Sequence, residues 1–283
     1  MMQNLVVGMV ALGLAAASTL GQDESEHARM KLVSEYETLT PGTTNWLGVA
    51  FEIDPEWHLY WNGQNDTGFP IKITPTLPEG VKAGPLCWPA PMRHVSPGDL
   101  LDHIYEKRVT LLLPVEVPAD AKPDSTLVFS VAGEWLVCKS ACIAGTGESS
   151  LSMKVASSGS DVRKSANKPL FDQARRRVPK PLNAQKPEAS VEWKGETIII
   201  NVQGAKDLAF FPGTESTLPR DLIKAGEAKG DSLRLTLENA ADSDRLVGVL
   251  EVNARQSGTE PTVYWIDSRR SGANPAGVQT SDK

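Results

Sequence analysis

Proline and glycine cut the first half of this chain into short apolar pieces, at Pro41-Gly42, Pro55, Pro70, Pro78, Pro85, Pro89, Pro91 and Pro97-Gly98. A helix interior tolerates neither residue well, so the pieces between them are expected to be strands. Leu32 to Leu39 alternates in part, and Trp46 to Ile53 is a stronger apolar run. Val109 to Val117 is broken by Pro114, Thr126 to Val137 follows, and Leu151-Ser152-Met153-Lys154-Val155 alternates cleanly. Many short strands with such punctuation predict an antiparallel β-sandwich over residues 28–156.

The rest of the chain divides on the same signals. Ser157-Ser158-Gly159-Ser160 opens a linker over residues 157–188. It contains one helix, predicted from Pro169 to Val178, with Leu170, Phe171, Ala174 and Val178 on one face. Arg175-Arg176-Arg177 is expected to be a solvated face of it. Pro179, Pro181 and Pro187 end the helix and stiffen the connection. A second β-sandwich is expected over residues 189–268, from Thr197 to Val202, Leu208 to Pro212, Ser232 to Glu238, Leu246 to Val252 and Thr262 to Ile266. Ser232 to Glu238 alternates perfectly, which predicts one buried face and one wet face. Residues 269–283 are polar and are expected to be a disordered tail. The fold class is therefore all-β, two sandwiches joined by a linker with one short helix.

Leu5 to Ala17 is an apolar run followed by small residues and then by charge from Asp23. It has the form of a secretory signal peptide over residues 1–22, although Met1 to Asn4 carry no Lys or Arg. The alternatives are an uncleaved anchor or a lipid-modified N-terminus, and no Cys stands near the run to accept a lipid. No other segment is long and apolar enough to cross a bilayer, so no membrane span is expected in the mature chain. The predicted location is periplasmic or secreted. Net charge is −6 without a predominant basic stripe, which argues against nucleic acid as a partner.

Three cysteines occur in 283 residues, and two of them, Cys138 and Cys142, stand four apart after the apolar run Trp135-Leu136-Val137. A solitary close pair in an exported chain is either a small staple or a redox centre. A bridge across about five residues restricts the unfolded chain by only about 2 kcal/mol, a modest structural return. On one continuous strand the two residues would lie about 13 Å apart, beyond bonding reach. On a helix they would sit near 6 Å, at the upper edge of that reach. A hairpin turning at Lys139-Ser140-Ala141 puts them face to face and is the favoured arrangement. Such a bridge could be strained and easily reduced. Lys139 between the sulfurs is expected to lower a thiol pKa. Cys138 is expected to be the more buried, and Cys142 the sulfur that a partner attacks.

Cys87 alone is more often a buried apolar side chain than a nucleophile. Met92, His94, His103 and Cys87 offer soft-metal donors, but their spacing matches no compact ligand motif. His27 and His58 are scattered. No Ser-His-Asp set, phosphate loop or zinc motif is present, and no cofactor is expected.

Several segments together resemble a known family. Trp57-His58-Leu59-Tyr60-Trp61-Asn62 is followed by Gly68-Phe69-Pro70, then by Gly84-Pro85 with Trp88-Pro89-Ala90-Pro91. Tyr105-Glu106 precedes a strand ending in Leu113-Pro114-Val115, and Trp135-Leu136-Val137-Cys138 precedes Cys142-Ile143. This pattern resembles the periplasmic N-terminal region of DsbD-type protein-disulfide reductases, and within it the ScsB branch linked to suppression of copper sensitivity. Phe210-Phe211-Pro212 and Gly248-Val249-Leu250 are similar to the second periplasmic β-domain of that branch. The likeness covers roughly Met30 to Asp267.

The resemblance implies an immunoglobulin-like first domain whose redox pair is Cys138 and Cys142. It implies electrons received from a thioredoxin-like domain and passed to periplasmic partners, including disulfide isomerases and cytochrome-maturation thioredoxins. It also implies a cap loop over the pair, expected between Met92 and His103, with Tyr105 close by. Full-length members continue into a multi-helix membrane domain and a thioredoxin-like domain, and these 283 residues hold neither. The expectation is a protein-disulfide reductase component fed by a separate membrane electron donor, or a domain kept for binding alone. The leading expectation is electron relay by thiol–disulfide exchange with thioredoxin-like proteins. The rivals are an interaction module with a structural bridge and a copper-handling protein.

Overall fold

The structure, a computed structural model, describes residues 27–157, 162–182, 189–237, 245–254 and 260–270. The expected signal peptide, parts of the 157–188 connection and all but two residues of the 269–283 tail lie outside the described residues.

Among the described residues the strands form four sheets, two in each half of the chain. In the first half, Ala28–Ser34, Thr44–Ile53, Arg108–Glu116 and Lys82–Ala83 lie in that order in a four-stranded sheet. The facing sheet runs Thr38–Leu39, Cys142–Val155, Thr126–Cys138, His58–Tyr60, Leu100–Glu106, Met92–Ser96, and Lys72–Thr76 also pairs with Thr126–Cys138. Alternation decides what lies between them. Phe129, Val131, Trp135 and Val137 point inward from one strand and meet Val49, Phe51, Leu111 and Leu113 from the other sheet. The Phe51 and Trp135 rings meet edge to face at 5.1 Å.

The central hairpin, Thr126–Cys138 with Cys142–Val155, stays in register from Thr126↔Lys154 to Cys138↔Cys142. Its second strand starts nine residues before the alternation at Leu151 first shows it. Gly145, Gly147, Ser149 and Ser150 have low strand preference, and pairing with a strongly apolar partner strand overrides it. Gly133 and Gly147 face each other there. A Cβ on Gly133 would stand 2.6 Å from Met30 Sδ, and one on Gly147 3.0 Å from the Trp135 ring. The absent side chains make room for Met30 and Trp135.

In the second half, Lys180–Pro181, Thr262–Arg269, Arg245–Ala254, Ala205–Pro212 and Glu227–Lys229 form a five-stranded sheet in that order. Ala189–Lys194, Thr197–Val202 and Ser232–Thr236 form a three-stranded one. Ile198, Ile200, Leu233 and Leu235 of the smaller sheet pack on Leu208, Phe210, Leu250 and Ile266 of the larger. The opposite face of the larger sheet is also covered: Ala209, Phe211, Val249 and Val263 belong to the core of the first sandwich. A strand buried on both sides loses alternation, which accounts for the unbroken apolar run Leu208 to Pro212. The two sandwiches thus share a packed interface.

Polar groups fix that interface. Gln64 Nε2 donates to the carbonyls of Gly213 at 3.1 Å and Ser216 at 2.8 Å. Arg93 Nη2 donates to the carbonyls of Leu222 at 3.1 Å and Ile223 at 2.9 Å. His103 sits within it, its ring against Trp61 and Phe211 and its Nδ1 2.6 Å from the Gln64 carbonyl oxygen. Burial pushes the His103 pKa down to about 4. The folded value lies below the unfolded one near 6.5, so the unfolded chain takes up the proton first as pH falls. Stability therefore drops from about pH 6.5 towards pH 4, by about 2 kcal/mol at pH 5. Urea unfolding of the parent and of His103→Gln at pH 7 and pH 5 checks this. The parent should lose stability between the two and the variant should lose much less; equal losses would refute the assignment.

The helix spans Lys168–Arg177, with Phe171 and Ala174 buried and Leu170 and Val178 packed beside them on Val33 and Leu112. The arginine run is only in part a solvated face: Arg176 is exposed, but all three side chains are ion-paired. Arg175 binds buried Glu35 of the first sandwich, Arg176 lies 2.7 Å from Glu260, and Arg177 lies 2.6 Å from Glu251. One helix thereby ties both halves together. Lys180–Pro181 continues this by pairing with Tyr264 and Trp265, so the proline-rich connection is part of the second sheet rather than a free spacer.

Candidate functional site

The long hairpin ends in the cysteine pair, and its turn is the one the spacing predicts. Cys138 pairs with Cys142 across the ladder, their Cα atoms are 4.2 Å apart, and the sulfurs are bonded at 1.99 Å. Burial separates the two. Cys138 is 3% exposed, packed among Tyr60, Ile104 and Leu136, whereas Cys142 is exposed.

The strand His58–Tyr60 lies beside Cys138, with Cys138 opposite His58 and Val137 opposite Leu59. Residues directly opposite share a face, and residues two apart on a strand do so too. His58 and Tyr60 therefore stand on the sulfur side, while Leu59 and Trp61 enter the core. The Tyr60 hydroxyl is 3.6 Å from Cys142 Sγ, 3.4 Å from His58 Nε2 and 3.1 Å from Thr67 Oγ1. Thr67 Oγ1 donates to Asp102 Oδ2 at 2.6 Å, and the Thr67 amide donates to Asp102 Oδ1 at 3.0 Å. The His58 ring also meets the His94 ring, centroids 5.0 Å apart. Burial, and then the neighbouring His94, hold the His58 pKa below its ordinary value. Burial holds the Tyr60 hydroxyl above its own.

Lys139, between the two cysteines in sequence, is paired with Glu56. Its Nζ sits 2.6 Å from Glu56 Oε2, and Glu56 is held below the usual carboxylate range by that hydrogen bond. The ammonium charge is met by a carboxylate at the hairpin tip, which weakens any field it exerts on a thiol.

The segment expected to cap the pair, Met92 to His103, is mostly a regular antiparallel pair at the sheet edge, Met92–Ser96 with Leu100–Glu106. It reaches the site through His94 and Asp102. The backbone lying on the Tyr60 ring comes instead from Thr67-Gly68. A Cβ on Gly68 would fall 2.1 Å from that ring, so only glycine permits the approach. Phe69 follows at 74% exposed. Tyr105 faces the core, where its hydroxyl donates to the Pro89 carbonyl, and it does not touch the sulfurs.

The soft-metal donors are not gathered. Cys87 pairs by its backbone with Leu112, and burial raises its thiol pKa. His103 and His94 project from opposite faces of the sheet edge, because Arg93 pairs with His103 and His94 with Asp102. Among the described residues no group of three or more His, Cys, Asp or Glu could hold a metal ion. The sequence reading missed Tyr60, Thr67 and Asp102, and left His58 as a scattered residue. The available signal was the alternation in Trp57-His58-Leu59-Tyr60, which puts His58 and Tyr60 on one face.

Residues 29–154 match the family model for the thiol:disulfide interchange protein DsbD, N-terminal. No curated protein matches. The crystal structure of the N-terminal periplasmic domain of ScsB from Proteus mirabilis superposes with a TM-score of 0.54 at 14% identity, covering 89% of this chain and 97% of that one. A protein of unknown function from Porphyromonas gingivalis W83 follows at TM-score 0.22 and 11% identity, over 86% of this chain and 96% of that one. No helix among the described residues is long and apolar enough to cross a membrane.

Proposed function

From the premise that residues 29–154 form a DsbD/ScsB-type N-terminal domain, we propose that this protein relays electrons to thioredoxin-like proteins through Cys138 and Cys142. In the reduced chain the Cys142 thiolate attacks one sulfur of a partner's disulfide, forming a mixed disulfide and freeing the partner's other sulfur. Cys138 then attacks Cys142 Sγ, the mixed bridge breaks, and the partner leaves as a dithiol. The Cys138–Cys142 bond reforms, so two electrons and two protons pass to the partner. A separate electron donor, outside this chain or in a membrane protein beside it, restores the dithiol. The reading places the protein in the periplasm, exported by its N-terminal apolar run.

The observation that carries this is the asymmetry of the pair, one sulfur in the open and the other sealed at 3% exposure. Exchange requires an attacking sulfur that a second protein can reach and a resolving sulfur behind it. A redox titration against glutathione or a thioredoxin-like dithiol tests the reading. The bridge should equilibrate at a potential between roughly −120 and −270 mV, the span of thiol–disulfide catalysts. A potential below about −300 mV would assign the bond to structure alone.

A further inference from the structure

We propose that His58 is the proton-handling residue of this site, taking through Tyr60 the proton that Cys142 must lose before it attacks. The inference rests on the relay reading and adds to it a route for the proton.

The geometry limits where hydrogens can lie. Asp102 as a carboxylate only accepts, so the Thr67 hydroxyl hydrogen is committed to it at 2.6 Å. Thr67 Oγ1 can then offer Tyr60 only lone pairs. The Tyr60 hydroxyl has one hydrogen, and its oxygen stands 3.6 Å from Cys142 Sγ and 3.4 Å from His58 Nε2. It is thus the only described polar group contacting both the exposed sulfur and an imidazole. Thr67 and Asp102 fix its position. His58 is flanked by Cys138 and Glu106 on the neighbouring strands, with Tyr60, His94 and Asp102 completing the groups about it. The imidazole beside His94 is neutral at neutral pH, and a neutral Nε2 can accept a proton.

At rest the Tyr60 hydrogen lies on Thr67 Oγ1; in the reduced chain it swings to His58 Nε2 as the Cys142 S–H proton moves to the Tyr60 oxygen. The Cys142 thiolate then forms its bond to the partner sulfur, and the partner's S–S bond breaks with its electron pair on the departing sulfur. The imidazolium returns its proton through Tyr60, whose hydroxyl hydrogen passes to that sulfur as the oxygen takes the one from Nε2. Neither His58 nor Tyr60 changes oxidation state, and both are restored at the end. His58 works through Tyr60 and touches no reacting sulfur, so it is a positioning residue for the proton.

The test uses the full chain with Cys87→Ser, reduced and freed of reductant, reacting with 4,4′-dithiodipyridine between pH 6 and pH 10. His58→Gln and Tyr60→Phe should each react about tenfold more slowly than the parent at pH 7, a modest share for general acid–base assistance. Both should converge on the parent above about pH 9.5, where the thiol ionises unaided. A parent-like rate at pH 7 in both variants, or slowing by one factor at every pH, would overturn the proposal. The second outcome is what distorted packing alone produces. Tyr60→Phe keeps the ring that packs on Gly68, so it reads the hydroxyl even if His58→Gln folds poorly. The relay reading stands or falls separately, on the potential of the bridge.

Discussion

Cys138→Ser should trap a thioredoxin-like partner as a stable mixed disulfide, and Cys142→Ser should trap none. The two sulfurs are equivalent in a drawing of the bond and unequal in the fold. Cys142 stands at the open end of the hairpin, and Cys138 is packed under Tyr60, Ile104 and Leu136. With Cys138 replaced, Cys142 still attacks, but nothing behind it can break the mixed bond. With Cys142 replaced, the remaining thiol is 3% exposed, where a second protein's sulfur cannot align with it, and exchange should fall to the uncatalysed background. Both variants lose the same short loop closure, worth about 2 kcal/mol; Cys138→Ser alone also buries a hydroxyl, so any unequal folding disfavours the variant expected to trap. The readout is the covalent complex on a non-reducing gel and its mass. Equal trapping by both variants, or trapping through Cys138 only, would remove the asymmetry on which the relay is built.

What was legible in the sequence follows from how far each interaction reaches along the chain. The hairpin could be read because its evidence is local: an apolar strand, three turn residues between two cysteines, and alternation on the return. The DsbD-like segments marked the same region. The groups that surround the sulfurs could not be read this way. Tyr60 is 82 positions from Cys142, and Thr67 is 35 from Asp102. Only the strand order, which puts His58–Tyr60 between the hairpin and Leu100–Glu106, brings them together. Arg175 shows the converse error. A basic run on a helix usually faces water, but Arg175 is bound by a carboxylate 140 positions earlier, in a stretch that alternates only in part.

That carboxylate is where the largest loss of stability is expected. Glu35 is 3% exposed, bound by both terminal nitrogens of Arg175 and by Lys168 Nζ at 3.3 Å. Burial opposes its charge, and the hydrogen bonds from Arg175 and Lys168 more than offset this, leaving its pKa below the ordinary carboxylate value. Glu35→Gln keeps the shape but leaves two cations facing a neutral amide. Removing one partner of a buried pair costs about 3 to 5 kcal/mol, and the partial exposure of Arg175 favours the lower end. For a chain of this size about 3 kcal/mol lowers Tm by roughly 6 to 12 °C. The same helix carries Arg176 and Arg177 to Glu260 and Glu251, so its loosening should weaken the seam between the two sandwiches as well. The sign with pH is fixed. A carboxylate whose folded pKa is depressed stabilises the fold above its unfolded pKa, near 4.5, and ceases to do so as pH falls through the folded value. The gap between parent and variant should therefore be full at pH 7 and shrink below about pH 4.5. Thermal unfolding at pH 7 and pH 3.5 measures both ends. A variant that melts with the parent at pH 7 would mean that Phe171 and its apolar neighbours hold the helix alone.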